Sequence, residues 1–420
     1  MNKKVLTIGI ALLMVAVVTA TVVLFLFPYQ PDQPPQTDDV GSTQQGIQEI
    51  VDANNQFALE FYSEINKNEH GNIFYSPYSI SAALAMTYEG AKGQTADEMK
   101  SVFHFPESSI LRPNFAAIYN NINKKDKKYK LSTGNALWAQ QDYQFLQNYL
   151  STAEKYYGGK AANLDFVKET EKSRQTINSF IEEQTNDKIK DLIPQGVLNV
   201  DTRLVLTNAI YFKGTWVKQF DKKDTRDEGF KTSSGQSAKV PMMRLTGDDA
   251  EFSYAETDDL QLLEMPYDGE DLSMLIILPK ENNLGNIEAS ITAEKLSEWK
   301  GILKEQRVDI YVPKFKFETK YFMVKTLSNM GMPTAFTESA DFSGMDGTKS
   351  LLIQNVIHQA FVEVNEEGTE AAAATAVIVE IESVGPRIPT FRADHPFIFI
   401  IQQKDTGNIL FMGRVSDPTK

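Results

Sequence analysis

An α+β fold is predicted for this chain of 420 residues, and three observations predict it. Apolar residues recur at helical spacing through much of the first half. In the second half, short apolar runs with few charges read as buried strands. Two of those runs are joined by a tight turn, as a hairpin requires. Helices that dominate one half and strands that dominate the other make a segregated pattern rather than an alternating one. No internal repeat interrupts it.

The elements follow in order. Lys3 and Lys4 precede an uncharged run from Val5 to Phe27, long enough to cross a bilayer as a helix. A cleaved secretory signal is the alternative, with Val18-Thr19-Ala20 as its cleavage site, but the apolar run continues past that point. The retained signal-anchor is the preferred reading for residues 1–27. Either way, the positive N-terminal flank puts the rest of the chain outside the cytoplasmic membrane. Residues 28–46, with Pro28, Pro31, Pro34 and Pro35, read as an extended tether. From Ile47 onward Ile50, Val51, Phe57, Ala58, Phe61, Tyr62 and Ile65 recur as one face of a helix. Ser76-Pro77 reads as an N-cap followed by first-turn proline. The helix it opens runs through Ala82, Ala83, Ala85 and Met86 towards Gly90, small enough to lie close under a sheet. Leu204–Phe212 and Leu272–Leu278 read as buried strands. Ile398–Ile401 and Ile409–Phe411, joined by Asp405-Thr406-Gly407, read as the hairpin.

Composition removes several function classes. The net charge of −14 argues against nucleic-acid binding, which rests on Lys and Arg. Without cysteine there is no disulfide framework, thiol nucleophile, thiolate metal site or lipoprotein anchor. The four histidines, His70, His104, His358 and His395, are widely spaced, with no pair at metal-ligand spacing. No Gly-x-Ser-x-Gly elbow or phosphate-binding loop is present. An enzyme is not expected, nor any cofactor or metal.

The most informative stretch runs from Glu366 to Ser383. Its first part, Glu366-Glu367-Gly368-Thr369-Glu370-Ala371-Ala372-Ala373-Ala374, suits an exposed segment, since Ala is depleted in strands. In an extended conformation, however, its side chains sort by alternation. One face carries Thr369, Ala371, Ala373, Thr375, Val377, Val379 and Ile381, without a charge. The other carries Glu370, Ala372, Ala374, Ala376, Ile378, Glu380 and Glu382. A loop that never joined a sheet would not need that sorting, although short alternations are common enough that an alanine-rich surface loop or helix is the bland alternative.

This stretch resembles the hinge and reactive-centre loop of the serpins, inhibitors of serine proteases. Asn72–Ile80, Asn208–Trp216, Ala340–Met345, Phe391–Phe397 and Phe411–Val415 resemble further blocks of that family, in family order from about residue 47 to the end. The resemblance implies a single domain over 47–420, an inhibitory member of prokaryotic or archaeal type, with helices around three β-sheets. It also implies an exposed reactive-centre loop at about 366–390 and a monomer.

Suicide inhibition is the mechanism implied. A protease attacks the loop as substrate, cleavage frees the upstream arm, and that arm inserts into the central sheet, carrying the protease with it. By resemblance Glu367 to Ala374 form the hinge, and the scissile carbonyl lies fourteen positions beyond Gly368, at Glu382-Ser383. Glu382 implies a glutamyl endopeptidase; Ile381 would suit an elastase- or subtilisin-like enzyme, and Arg387 a trypsin-like one. Cysteine proteases remain a further target class. Ser76, Ser79, Asn208 and His358 match the family's polar cluster beneath the central sheet, and Trp216 its aromatic at the top. The basic run Lys124 to Lys130 is either a solvated loop or a polyanion site. The rival function is a non-inhibitory serpin serving as a binding or storage protein. Such relatives carry bulky or charged hinges, unlike Thr369 and the alanines here.

Overall fold

Ser76 opens the helix around which the molecule is assembled. Its hydroxyl accepts a hydrogen bond from Ser79 N at 3.1 Å, and Pro77 fills a first-turn position whose N–H would have had no partner. The helix Pro77–Tyr88 is buried from Pro77 to Thr87. A helix apolar on every side belongs inside a protein, and this one lies against the strands Leu204–Thr215 and Ile409–Val415. Its alanines and serines permit that approach.

The computed structural model describes residues 36–124, 126–369 and 388–420. The strands form three sheets, two of which lie against the buried helix. The central one has seven strands, in the order Phe315–Phe322, Asn355–Asn365, Gly368–Thr369, Leu204–Thr215, Ala136–Gln140 and Lys160–Leu164, with Lys130–Thr133 also paired to Leu204–Thr215. A second seven-stranded sheet is wholly antiparallel and contains Leu272–Pro279 and the hairpin Phe397–Gln403 and Ile409–Val415. The third has four strands, and Thr390–Arg392 pairs there, in parallel, with Asp309–Pro313.

The main core lies between the two larger sheets, where Phe74 stacks on Phe399 and Phe411. A second, smaller core covers the opposite face of the central sheet. There Ile177 and Ile181, on the helix Thr170–Gln184, pack with Trp138, Val205, Ala209 and Ile357. The strands Ala136–Gln140, Leu204–Thr215 and Asn355–Asn365 are therefore buried on both faces along part of their length.

The helix predicted from Ile47 spans Gln44–Asn66, capped by Thr43, whose side chain accepts from Gly46 N at 3.0 Å. The compact unit extends from Thr37 to Lys420. Thr37 is buried; its hydroxyl donates to Ala116 O at 3.1 Å and its N–H to Asn120 Oδ1 at 3.0 Å. The tether expected over 28–46 thus ends earlier, because these polar groups find partners on the helix Ser108–Ile122. The run Val5–Phe27 lies outside the described residues. Among the described residues no helix is long and apolar enough to cross a membrane.

The block Ala340–Met345 closes on the end of the buried helix. Gly344 N donates to Gly90 O at 3.0 Å. A Cβ on Gly344 would lie 2.8 Å from that oxygen, so glycine is what allows the contact.

Candidate functional site

The site begins where the strand Asn355–Asn365 ends. The chain turns at Glu366 and Glu367 and re-enters the sheet as the two-residue strand Gly368–Thr369. That strand is antiparallel to both neighbours. Gly368 faces Asn365 and Thr215, and Thr369 faces Val364 and Gly214. Below it the same two neighbours pair with each other in parallel, from Phe361 opposite Tyr211 down to Asn355 opposite Val205. The strand Gly368–Thr369 therefore sits as a wedge at the top of a closed seam.

Each residue of the wedge has a physical reason to be there. Gly368 has φ +152°, and a Cβ on it would lie 2.0 Å from Gly214 O, so only glycine fits. Thr369 is 1% exposed, and its hydroxyl shares a 2.8 Å hydrogen bond with the phenol of Tyr267. Tyr267 stacks on Trp216, with centroids 4.5 Å apart. Trp216 in turn holds the turn from outside the wedge. Its backbone N–H donates to Glu367 O at 2.8 Å and its indole N–H to Asn365 O at 3.1 Å.

Two lysines hold the glutamates of the turn. Lys314 Nζ donates to Glu366 Oε2 at 2.8 Å, and Thr225 Oγ1 donates to Glu366 Oε1 at 2.9 Å. Burial pushes the Glu366 carboxyl up, but Lys314 and the other donors outweigh it and hold the group below the usual range. Lys222 Nζ donates to Glu367 Oε1 at 2.5 Å, whereas Glu367 Oε2 has no partner among the described residues.

The polar cluster lies further down the seam. His358 and Asn208 are opposite each other in the parallel pairing, and the His358 Nδ1–H donates to Asn208 Oδ1. His358 Nε2 accepts from Ser76 N at 3.1 Å, which fixes a neutral tautomer protonated on Nδ1. Burial lowers the pKa of this imidazole to about 3. Asn208 Nδ2 donates to Ser79 O at 2.8 Å and Ser79 Oγ at 2.7 Å. Ser76 Oγ donates to Leu410 O at 2.6 Å. The cluster thus ties both strands of the seam to the helix beneath and to the second sheet.

The structure brings together Ser76, Ser79, Asn208 and His358, and separately Glu367, Gly368, Thr369 and Trp216. Glu370 to Ala374, Ile381, Glu382, Ser383 and Arg387 lie outside the described residues, as does Lys125. In the rest of the basic run, Lys127 is not free: its ammonium lies 2.6 Å from Asp271. Sequence reasoning missed Tyr267, Lys222, Lys314, Thr225 and Asn135, which takes hydrogen bonds from both Ser79 Oγ and Asn208 Nδ2. Among the described residues no group of three or more His, Asp or Glu side chains is gathered to hold a metal.

Known proteins are similar to this chain in sequence and in fold. A serpin-like protein of Methanosarcina mazei is 43% identical over 378 residues, 88% of each chain. Leukocyte elastase inhibitor A of Rattus norvegicus is 40% identical over 383 residues, covering 89% of this chain and all of its own. The crystal structure of Serpin48, a highly specific serpin from the insect Tenebrio molitor, matches with TM-score 0.80 and 34% identity over 88% of this chain and 98% of its own. The family model for serpins (serine protease inhibitor) matches residues 52–418. With that match over most of its length, and with a glycine-hinged strand seated between two sheet strands, this chain belongs to the serpin family.

Proposed function

We propose that this protein inhibits serine-type endopeptidases by suicide substrate trapping, with cleavage near Glu382-Ser383. The observation that carries the reading is the seated strand Gly368–Thr369. It is antiparallel to both neighbours, so continuing its register gives a definite inserted strand. Ala371 would then lie level with Val362 and Phe212, Ala373 with Ala360 and Ile210, Thr375 with His358 and Asn208, and Val377 with Val356 and Leu206. Val362, Ala360, His358 and Val356 are all buried. The uncharged face of the segment thus meets the main core, small residues first. Burying Val377 and Val379 fully would contribute roughly 1.5–3 kcal/mol each.

The same register bears on the other face. Ala374, Ala376 and Ile378 would come level with Ala209, Ile357 and Val205, of which Ile357 and Ala209 belong to the covered second core together with Val205. That face is not solvated throughout. Its charges, Glu370 at one end and Glu380 and Glu382 at the other, would flank a stretch of apolar residues.

Glu382 favours a glutamyl endopeptidase as target; an elastase- or subtilisin-like enzyme would use Ile381, and a trypsin-like one Arg387. The likeness to a leukocyte elastase inhibitor supports the serine-protease class. We place the protein outside the cytoplasmic membrane, held by residues 1–27 where they are retained, and acting as a monomer.

A panel of these proteases, with a cysteine protease added, is expected to yield a denaturant-resistant covalent adduct with at least one. The mass of the released C-terminal peptide then fixes the cut. In Thr369→Arg, a guanidinium would have to enter the space that Tyr267 and Trp216 close, where an unpaired charge is costly. Raising the insertion barrier by ~1.4 kcal/mol would already shift partitioning about tenfold towards simple hydrolysis. If Thr369→Arg traps as well as the parent protein, the hinge reading fails.

A further inference from the structure

The strand Leu204–Thr215 keeps a single register along its length, from Lys213 opposite Lys130 to Leu204 opposite Ala139. Arg203 prolongs it, since its carbonyl accepts from Gln140 N at 2.8 Å. No bulge intervenes. A strand that starts with Gly368 opposite Thr215 and Thr369 opposite Gly214 would therefore bring Glu380 level with Arg203. Side chains alternate along an extended strand. Arg203 thus belongs to the face of Val205 and Ala209, and Glu380 to the face of Ala376 and Ile378, which is the same side of the sheet.

Arg203 is half-buried and has no carboxylate partner among the described residues. Its Nη1 donates to two carbonyls, Val200 O at 3.0 Å and Thr202 O at 3.3 Å. The Nε and Nη2 donors are left over among the described residues, and a guanidinium fork is shaped to hold a carboxylate. The other end of the segment is different. There Glu370 would have Lys213 on one side and Glu363 on the other, so attraction and repulsion offset. Beside Glu380 the strand Asn355–Asn365 has already ended, and Arg203 acts unopposed by any carboxylate of that strand.

We propose that Arg203 is the positioning residue that fixes the inserted strand at full depth, its guanidinium taking the Glu380 carboxylate. This rests on the trapping reading. The strand fills from the hinge downward, so Glu380 enters near the end, two residues before the scissile carbonyl of Glu382 to which the protease is joined. The pair forms only once insertion is complete. It therefore acts on how long the protease stays trapped, not on how fast the loop is attacked.

The test uses the full chain and a serine protease with which the parent forms the covalent adduct, and follows the return of protease activity from purified adduct. From Arg203→Glu, activity should return about fivefold faster, the size expected of a well-placed surface ion pair. Glu380→Arg should behave alike, and the double exchange should restore the parent rate, which a merely structural role would not allow. Added salt should shorten the parent's trapping but leave that of Arg203→Gln unmoved. Glu380→Arg and the salt series keep the test open if Arg203→Glu does not fold. Release unchanged by the single exchanges, or effects that simply add in the double exchange, overturn the role of Arg203 alone. A parent that forms no adduct with any serine protease overturns the trapping reading and this role with it.

Discussion

His358 joins the central sheet to the buried helix through a single imidazole, and its protonation state is part of the structure. Nε2 must accept from Ser76 N, so the ring has to stay neutral. Burial lowers its pKa from 6.5 to about 3. The unfolded chain would bind the proton from about pH 6.5 downward, and the folded protein only near pH 3. The stability due to the neutral ring is therefore complete above pH 6.5 and is lost progressively on acidification to pH 3. The slope is about 1.4 kcal/mol per pH unit. Carboxylates held low, such as Glu366, add a loss of the same sign only below their unfolded value of about 4.5. Between pH 4.5 and 6.5 the slope of denaturant stability should thus be steeper in the parent than in His358→Asn. Equal slopes would show that His358 is not the group that titrates. Three of the four polar positions of this cluster were legible because they stand in distinctive blocks, Ser76 and Ser79 in Asn72–Ile80 and Asn208 in Asn208–Trp216. Asn135 was not: it lies in the short link between Lys130–Thr133 and Ala136–Gln140, and nothing local marks it as a partner of Asn208.

At the scale of elements, the strands that hold the core were legible from apolar runs, as with Leu272–Pro279, and the buried helix from its Ser-Pro start. The two-residue strand Gly368–Thr369 was not. Its sequence is equally that of a loop, and what decides its place is the gap between two strands that come from distant parts of the chain. The clasp of Lys222 and Lys314 on the turn was hidden for a related reason, since a lysine on or near a strand usually faces water. One consequence of the extended register belongs at this scale. Ala376 would pass beneath the helix Thr170–Gln184, level with Ile357. Ala376→Lys should therefore impair trapping, whereas Glu370→Lys, at the open end, should have little effect. Equal rates of adduct formation in the two variants would refute the assumed register.

For the whole molecule, the proposed reaction exchanges one ladder for two. The parallel pairing of Asn355–Phe361 with Val205–Tyr211 opens, and a new strand gains antiparallel partners on both sides. Parallel pairing is slightly the weaker kind per residue. Cleavage within 382–383 should accordingly raise the melting temperature, because the inserted form adds a buried face and a second ladder. Scanning calorimetry on the nicked and intact protein tests this, and unchanged melting would count against a spring-loaded mechanism. The two ends of the segment are held in different sheets in the intact chain, Thr369 in the central one and Thr390 in the four-stranded one.

The turn at Glu366 and Glu367 also bears on how the chain reaches this form during folding. Extending the hairpin across that turn needs only local loop closure, while pairing His358 with Asn208 must close a loop of 150 residues. Local closure is the faster event. The early docking of Thr390–Arg392 beside Asp309–Pro313 would keep the far end of the segment out of reach until the slow pairing is complete. Whether that anchor docks before the local hairpin can lengthen thus decides whether the protein starts life armed or already spent.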